Sequence, residues 1–482
     1  MQEQDLIKKD IAKFLDKHYH KELLRFVTVG SVDDGKSTLI GRLLYDTGAV
    51  YDDQVASVKK AHGTTGEGEI DYAFLLDGLK AEREQGITID VAYRYFATEK
   101  RKFILADTPG HIQYTRNMAT GASTADVALI LIDARLGGQI QSRRHATIAS
   151  LLGIKYLFVC INKMDLVNYD QKIFEKIKKD FGKFVSSLHF RDILYFPVSA
   201  LKGDNIVHAS PKTPWFKGGP ILKALETIKI DRDQSKHAFA FPIQYVLRPN
   251  LDFRGYAGTI ISGSVKKGDE VLILPSGKKN KVKSIVTYDG ELKEANAPLA
   301  VTITLKDEVD ISRGDVLVHA KHDLKPAHQL KATLVWMHEK PLEVGCPYWI
   351  KHTSRMVTGQ VDKIEEIVDV NTFCGVKAEG MNLNDIGRVV ISVNRPLMVD
   401  GYRHNRLAGA FILIDRVSNA TVGAGMIDSF SEGVLGDAQT EEIVLNLDKA
   451  LVERLRQEAN WKQMSLEEML NEMIARTGKG NS

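Results

Sequence analysis

Gly30-Ser31-Val32-Asp33-Asp34-Gly35-Lys36-Ser37-Thr38 decides how this chain is read. It fits the pattern G-x-x-x-x-G-K-[ST]. Ahead of it, Leu23 to Val29 is an apolar run that predicts a buried strand. Behind it, from Thr38 to Tyr45, Leu39 pairs with Leu43 and Ile40 with Leu44 at four-residue spacing, which predicts a helix. Strand, glycine loop and helix in that order make the pattern a phosphate cradle. The glycines let backbone N–H groups converge on an anion, and the helix N-terminus adds partial positive charge. Lys36 supplies a full charge for β- and γ-phosphates, and Ser37 a hydroxyl for Mg²⁺. The plain alternative is a glycine-rich turn carrying an exposed lysine.

Outward from the loop, composition sets bounds. The chain has 482 residues, enough for about three domains. Hydrophobic residues are 44% and charged residues 26%, as in ordinary globular protein. With 65 basic and 62 acidic residues the net charge is +3, so any nucleic-acid patch would have to be local. Cys160, Cys346 and Cys374 are few and far apart; they give neither a disulfide framework nor metal-type spacing, which fits a reducing compartment. Cys160 lies in the apolar run Tyr156 to Ile161 and is expected in the core. The first residues are polar and carry no apolar signal core, and no apolar run approaches the ~20 residues of a membrane span. A cytoplasmic protein is expected.

From Leu23 to about residue 230, apolar runs alternate with helical stretches: Leu23–Val29, Phe103–Ala106, Val127–Asp133, Tyr156–Ile161 and Ile193–Pro197. This predicts an α/β domain with a largely parallel sheet, whose binding residues follow the strand ends. Asp107-Thr108-Pro109-Gly110-His111 follows the second run. Asp107 can hold a water of a Mg²⁺ shell, and Gly110 can present its N–H to a γ-phosphate. His111 stands where an attacking water is positioned, the task a glutamine performs in related enzymes. Asn162-Lys163-Met164-Asp165 follows Tyr156–Ile161. The Asp165 carboxylate can accept from N1–H and the exocyclic amine of guanine; adenine would oppose it with a lone pair. Asn162 can bind within the loop and to the base, and the Lys163 stem can cover the base face. After the last run, Ser199-Ala200-Leu201 can offer a backbone N–H to guanine O6. Between the first two motifs lies a polar segment, roughly 46 to 86, ending in Glu84-Gln85-Gly86-Ile87-Thr88-Ile89-Asp90. Thr88 either closes on Mg²⁺ and γ-phosphate as part of a switch or simply begins a strand Ile87–Tyr95.

GxxxxGKS, GIT, DTPGH, NKMD and SAL in this order resemble the GTPase domains of the translation-factor class. A closer resemblance is to the GTPase subunits of sulfate adenylyltransferases. It is carried by the loop 30–37, by Arg42-Leu43-Leu44-Tyr45-Asp46, by residues 82–94 and by Gln113 to Ser123. It covers most of residues 20 to about 430. Elongation factors usually carry histidines where Ser31 and Asp34 stand. The resemblance implies GTP and Mg²⁺ as ligands. It implies a partner, the adenylyl-transferring small subunit, in a heterodimer or higher assembly, and production of adenosine 5′-phosphosulfate from ATP and sulfate driven by GTP turnover. His111, Lys36 and Thr88 are then the expected catalytic residues; Ser37, Thr88 and Asp107 the metal set. Gly30 to Thr38, Asp107 to His111, Asn162, Lys163, Asp165 and Ser199 to Leu201 form the GTP site. Asp33 could help bind a monovalent cation. No second phosphate loop follows, so no fused kinase for the product is expected. The alternatives are a translation factor that binds tRNA or ribosome, and a scaffold that senses GTP without turning it over.

The expected architecture is an α/β phosphate-loop GTPase domain (23–234) followed by two β-barrels (237–328 and 329–432), with an amphipathic helix before (1–22) and a strand–helix–helix tail after (433–482). Barrel turns are marked by Gly255, Gly258, Gly263, Lys267-Gly268-Asp269, Ser276-Gly277 and Arg313-Gly314-Asp315. Strand-like runs at Val335–His338, Val357–Val361 and Gly387–Val393 suggest the second barrel. Arg248, Arg254, Lys266, Lys278, Lys279, Lys281 and Lys283 make the first barrel locally basic. They read as solvated strand faces and turns rather than a nucleic-acid surface, and no nucleic-acid or membrane partner is expected. In the tail, Ser465 and Glu468 form a capping box. The tail is either similar to an intertwined ribbon–helix–helix module or a helical hairpin packed on a barrel or on the partner.

Overall fold

Continuous apolar runs belong to parallel strands covered on both faces, and the centre of this molecule is built that way. The computed structural model describes residues 21–50, 72, 91–110, 115–230, 237–250, 253–369 and 375–432. Six strands form the first sheet: β1 (Glu22–Val29), β2 (Ala92–Ala97), β3 (Arg101–Asp107), β4 (Val127–Asp133), β5 (Tyr156–Asn162) and β6 (Asp192–Pro197), in the spatial order β2-β3-β1-β4-β5-β6. Every residue of β4 and β5 is buried. All pairings are parallel except β2 with β3, a hairpin on the edge. The expected strand Ile87–Tyr95 falls partly outside the described residues. What is described runs on to Ala97, because Thr98 N–H bonds Arg101 O at 2.9 Å and closes the hairpin there.

Helices cover both faces: α1 (Lys36–Asp46), α2 (Thr115–Ala122), α3 (Ile140–Leu151), α4 (Gln171–Val185) and α5 (Ile221–Thr227). In α4 the stripe Phe174, Ile177, Phe181 and Val185 is buried at helical spacing, and the Asp170 carboxylate caps the start by accepting from Lys172 N–H at 2.7 Å. One face of the sheet packs Leu39, Ile40, Leu43 and Leu44 of α1 with Leu225 of α5, and fully buried Cys160 lies there. The other face buries Ala146, Ile148, Phe174 and Phe181.

Two six-stranded barrels follow. The first closes through Glu270–Leu274, Val316–Val318, Ala240–Asn250, Phe253–Thr259, Ala300–Leu305 and Lys278–Thr287, the last pairing back to the first. The second closes through Pro347–His352, Ala410–Ile414, Thr421–Glu432, Lys325–Trp336, Ile386–Val399 and Arg355–Val368 in the same manner. The expected order of an α/β domain and two barrels is what the molecule shows. In Lys278–Thr287, Asn280, Val282 and Ser284 point inward while Lys279, Lys281 and Lys283 face solvent. Lys266 pairs with Glu294 at 3.5 Å and Lys279 with Glu270 at 3.8 Å, so local acids offset part of the basic character. The expectations for residues 1–20 and for the tail from 433 onward lie outside the described residues.

The second barrel sits against the α/β unit. Val335, Met337, Ile386, Tyr402 and Met426 join the core that covers one sheet face. Tyr402 Oη donates to Leu152 O at 2.9 Å, and Arg406 Nη2 to Ser123 O at 3.0 Å.

Candidate functional site

Parallel pairing brings the ends of β1, β3, β4 and β5 to one edge. Thr28 lies beside Asp107, and Asp133 beside Asn162. The expected motifs therefore leave the sheet together. Gly35 opens α1 with φ +89°, a left-handed conformation that favours glycine. A Cβ at Gly35 would stand 2.5 Å from Asn162 Nδ2. The first turn of α1 has neither an acidic side chain nor a side-chain cap, so its leading N–H groups face the loop. Val32 and Asp33 are exposed, and Asp33 also has positive φ. Ser37 and Thr38 are half-buried on the helix start.

The two positions at which this loop departs from the elongation-factor pattern bond to each other. Asp34 Oδ2 accepts from Ser31 N–H at 2.7 Å. Burial pushes the Asp34 carboxyl up, opposed by that N–H and by the Lys36 charge. Lys36 is buried and its Nζ donates to Gly30 O and Ser31 O, each at 3.2 Å. Burial lowers the Lys36 ammonium pKa, while Asp107, Asp34 and Asp33 pull it back. This charge is held on two loop carbonyls rather than by a carboxylate contact, and can be handed to a phosphate without breaking a salt bridge.

Asp107, Thr108, Pro109 and Gly110 are all buried. Thr108 Oγ1 donates to Thr28 O at 2.8 Å, which ties this turn to the strand that feeds the loop. A Cβ on Gly110 would meet Lys36 Nζ at 2.4 Å and Gly30 O at 2.6 Å. Only a glycine allows the two loops to approach so closely. His111 and Thr88 lie outside the described residues, as do residues 51–90 apart from Tyr72.

Asn162 is the joint of the site. Its Nδ2 donates to Asp34 O at 2.8 Å, and its Oδ1 accepts from Ala200 N–H at 2.9 Å. One fully buried amide thus ties the phosphate loop to the Ser199-Ala200-Leu201 turn. Met164 N–H bonds Val198 O at 3.1 Å and draws the Asn162–Asp165 turn to that same Ser199–Leu201 turn. Ser199 and Ala200 are buried, Leu201 is 44% exposed, and Asp165 is half-buried in a short 3₁₀ turn, Met164–Val167.

Sequence reading passed over several positioning residues. Asp133, at the end of β4, holds Lys163 Nζ at 3.0 Å and Arg135 Nη2 at 2.7 Å. Burial opposes its charge, but these donors and the Arg135 N–H bring the carboxyl down to about 2. Asp133 therefore stays anionic and holds the Lys163 stem. Its signal was available: it ends a strand at the same sheet edge as the motifs. Arg42 of α1 donates through Nη1 to Leu201 O at 3.2 Å. Gln141 Nε2 of α3 donates to Gly110 O at 3.3 Å and lies 3.1 Å from His145 Nε2. Burial, with the Lys36 and Arg144 charges, pushes His145 down to about 3, so the ring is neutral and can accept from Gln141. No local pattern marks that pair.

The fold and this site define a GTPase of the translation-factor class. A family model for the elongation factor Tu GTP binding domain matches residues 21–239, one for elongation factor Tu domain 2 matches 256–318, and one for the GTP-eEF1A C-terminal domain-like family matches 329–428. The sulfate adenylyltransferase subunit 1 of Cellvibrio japonicus is 56% identical over 426 residues, 88% of this chain and 90% of that one. That of Colwellia psychrerythraea is 54% identical over 445 residues, 92% and 95%. That of Alteromonas mediterranea is 53% identical over 440 residues, 91% and 93%. The chain belongs to the sulfate adenylyltransferase subunit 1 family, GTPase-type subunits whose first domain binds guanine nucleotide. Among the described residues no helix is long and apolar enough to cross a membrane.

Proposed function

We propose that this chain hydrolyses GTP with Mg²⁺ in the cytoplasm. That turnover drives a partner, the adenylyl-transferring small subunit, to make adenosine 5′-phosphosulfate and diphosphate from ATP and sulfate. The uphill character of that reaction is the physical reason to couple it to a second nucleotide. The observation that carries the nucleotide part is the close approach of Gly110 to Lys36 and Gly30. It brings Gly110, the Lys36 ammonium and the loop that opens α1 together, an arrangement that a terminal phosphate fits.

In this reading Lys36 and the loop N–H groups within residues 30–38, other than the Ser31 N–H that Asp34 holds, bind the phosphates, and Gly110 N–H meets the γ-phosphate. Ser37, Thr88 and Asp107 would hold Mg²⁺, which would supply positive charge to offset that of the phosphates. The donor set fits: hydroxyls and one buried carboxylate are hard oxygen ligands. Thr88 closes only on a triphosphate and so reports its presence. His111 positions the attacking water. Asp165 reads guanine N1–H and the exocyclic amine, Ala200 N–H reads O6, and Lys163 covers the base while Asp133 holds it. Asn162 keeps phosphate and base halves at a fixed separation. Catalysis is positioning and charge stabilisation.

The test is steady-state GTP hydrolysis by the purified chain, alone, with ribosomes and tRNA, and with a co-expressed sulfate-activating subunit plus ATP and sulfate. Stimulation by that subunit with its substrates, lost in His111→Ala, supports the reading. Stimulation by ribosomes instead makes the chain a translation factor. Unchanged turnover in His111→Ala removes the proposed role of that histidine.

A further inference from the structure

Three segments far apart in sequence meet where the barrels join the chain leaving the α/β unit. His237 precedes the first strand of the first barrel. Asp323 lies between Val316–Val318 and Lys325–Trp336, where one barrel gives way to the next. His404 lies in the turn after Ile386–Val399. One possible ligand atom from each stands within 4.8 Å of both others. The two imidazole rings are 4.5 Å apart and nearly perpendicular, at 89°.

Two of the three side chains have support beside them. His404 Nδ1 is 2.5 Å from Asp400 Oδ2, so Nε2 is the nitrogen left for a ligand. A carboxylate on the far nitrogen is the usual backing of a metal-bound histidine, where it fixes the tautomer and raises ligand basicity. Asp323 Oδ2 accepts from Ala238 N–H at 3.4 Å, which holds that carboxylate beside His237. His404 and Asp323 are exposed and His237 half-buried, so an ion can enter from solvent. None of the three belongs to a hydrophobic core, and none lies in the nucleotide site described above.

We propose that His237, Asp323 and His404 bind one divalent transition metal ion that staples these three segments together. Two imidazoles and one carboxylate are a borderline nitrogen–oxygen donor set. It fits Zn²⁺ with a fourth position for water, and not Mg²⁺ or Ca²⁺, which take oxygen ligands. The consequence reaches the domain arrangement. The turn that carries His404 also carries Tyr402 and Arg406, whose bonds to Leu152 O and Ser123 O hold the second barrel on the α/β unit. A metal at His404 therefore pins the docking turn to the segments entering and leaving the first barrel.

The test is equilibrium dialysis of the chelator-stripped full chain against Zn²⁺, with thermal melting of the same samples. The wild type is expected to take up one equivalent more than His404→Ala and to gain melting temperature with Zn²⁺, as any ligand of the folded state gives. Asp323→Asn, a change at an exposed side chain, should lose the same equivalent while keeping GTP binding. Asp400→Ala should weaken uptake by about 10–100-fold. Equal uptake and affinity in wild type, His404→Ala and Asp323→Asn would overturn the site, and so would no uptake by the wild type.

Discussion

At the residue scale, the site depends on a few atoms that have no room to move. Gly110 is the clearest. In Gly110→Ala the added methyl would need space already taken by Gly30 O and Lys36 Nζ. Nζ can swing away; the carbonyl of Gly30 is loop backbone and cannot do so cheaply. We expect single-turnover GTP hydrolysis to fall by about a hundredfold, the scale for one lost transition-state donor. GDP affinity should fall less than hydrolysis, because GDP has no γ-phosphate and shares only the displaced Lys36 contact to the β-phosphate. Unchanged hydrolysis would separate Gly110 from the chemistry. The close approach at this glycine was legible in the sequence because the role proposed for it needs only backbone. The Ser31–Asp34 bond was half legible: both positions stand out as departures from a resemblance, but only the fold shows that they answer one another. Asn162 could be read as a loop residue; its bond to Ala200 N–H spans 38 positions, which no spacing rule covers.

At the element scale, α3 supports the site from behind. His145 lies on its buried side with Gln141, which reaches the Gly110 carbonyl. The ring gives this helix a pH signature. Unfolded, an ordinary histidine takes a proton near pH 6.5; folded, His145 does so only near 3. Between those values the unfolded chain binds more protons, so stability falls as pH falls, by up to ~1.4 kcal/mol per pH unit from this group. Urea denaturation between about pH 6 and pH 4 should show that slope in the wild type and a shallower one in His145→Gln. Equal slopes would mean that the ring is protonated in the fold. The strands divide by the same logic of legibility. Buried β4 and β5 were plain from their apolar runs, since nothing in them alternates. Two of the second barrel's strands are longer than the runs that announced them: Val357–Val361 lies in the first half of Arg355–Val368, and Gly387–Val393 is part of Ile386–Val399; the run Val335–His338 instead meets only the last two residues of Lys325–Trp336 and overshoots its end. Register shifts between Val361 and Lys363 and between Ile364 and Glu366 break the alternation on which a strand reading depends.

At the scale of the whole molecule, an α/β unit and two closed barrels share buried surface, and the second barrel contributes Tyr402 and Met426 to the core under the nucleotide domain's helices. The loop proposed to sense a terminal phosphate is thus joined through α2, α3 and their neighbours to a surface other than its own. Composition and motif order gave the number and kind of these parts, but not their docking, because the bond from Tyr402 to Leu152 O spans 250 positions. We propose above that GTP turnover is linked to sulfate activation by a partner. The direct measurement is the yield of adenosine 5′-phosphosulfate from ATP and sulfate in the reconstituted assembly, with GTP, with GDP and with a non-hydrolysable GTP analogue. With GTP, and with neither of the other two nucleotides, product is expected to pass the level set by the uncoupled equilibrium and to grow in proportion to GTP consumed. The same final level under all three nucleotides would contradict it.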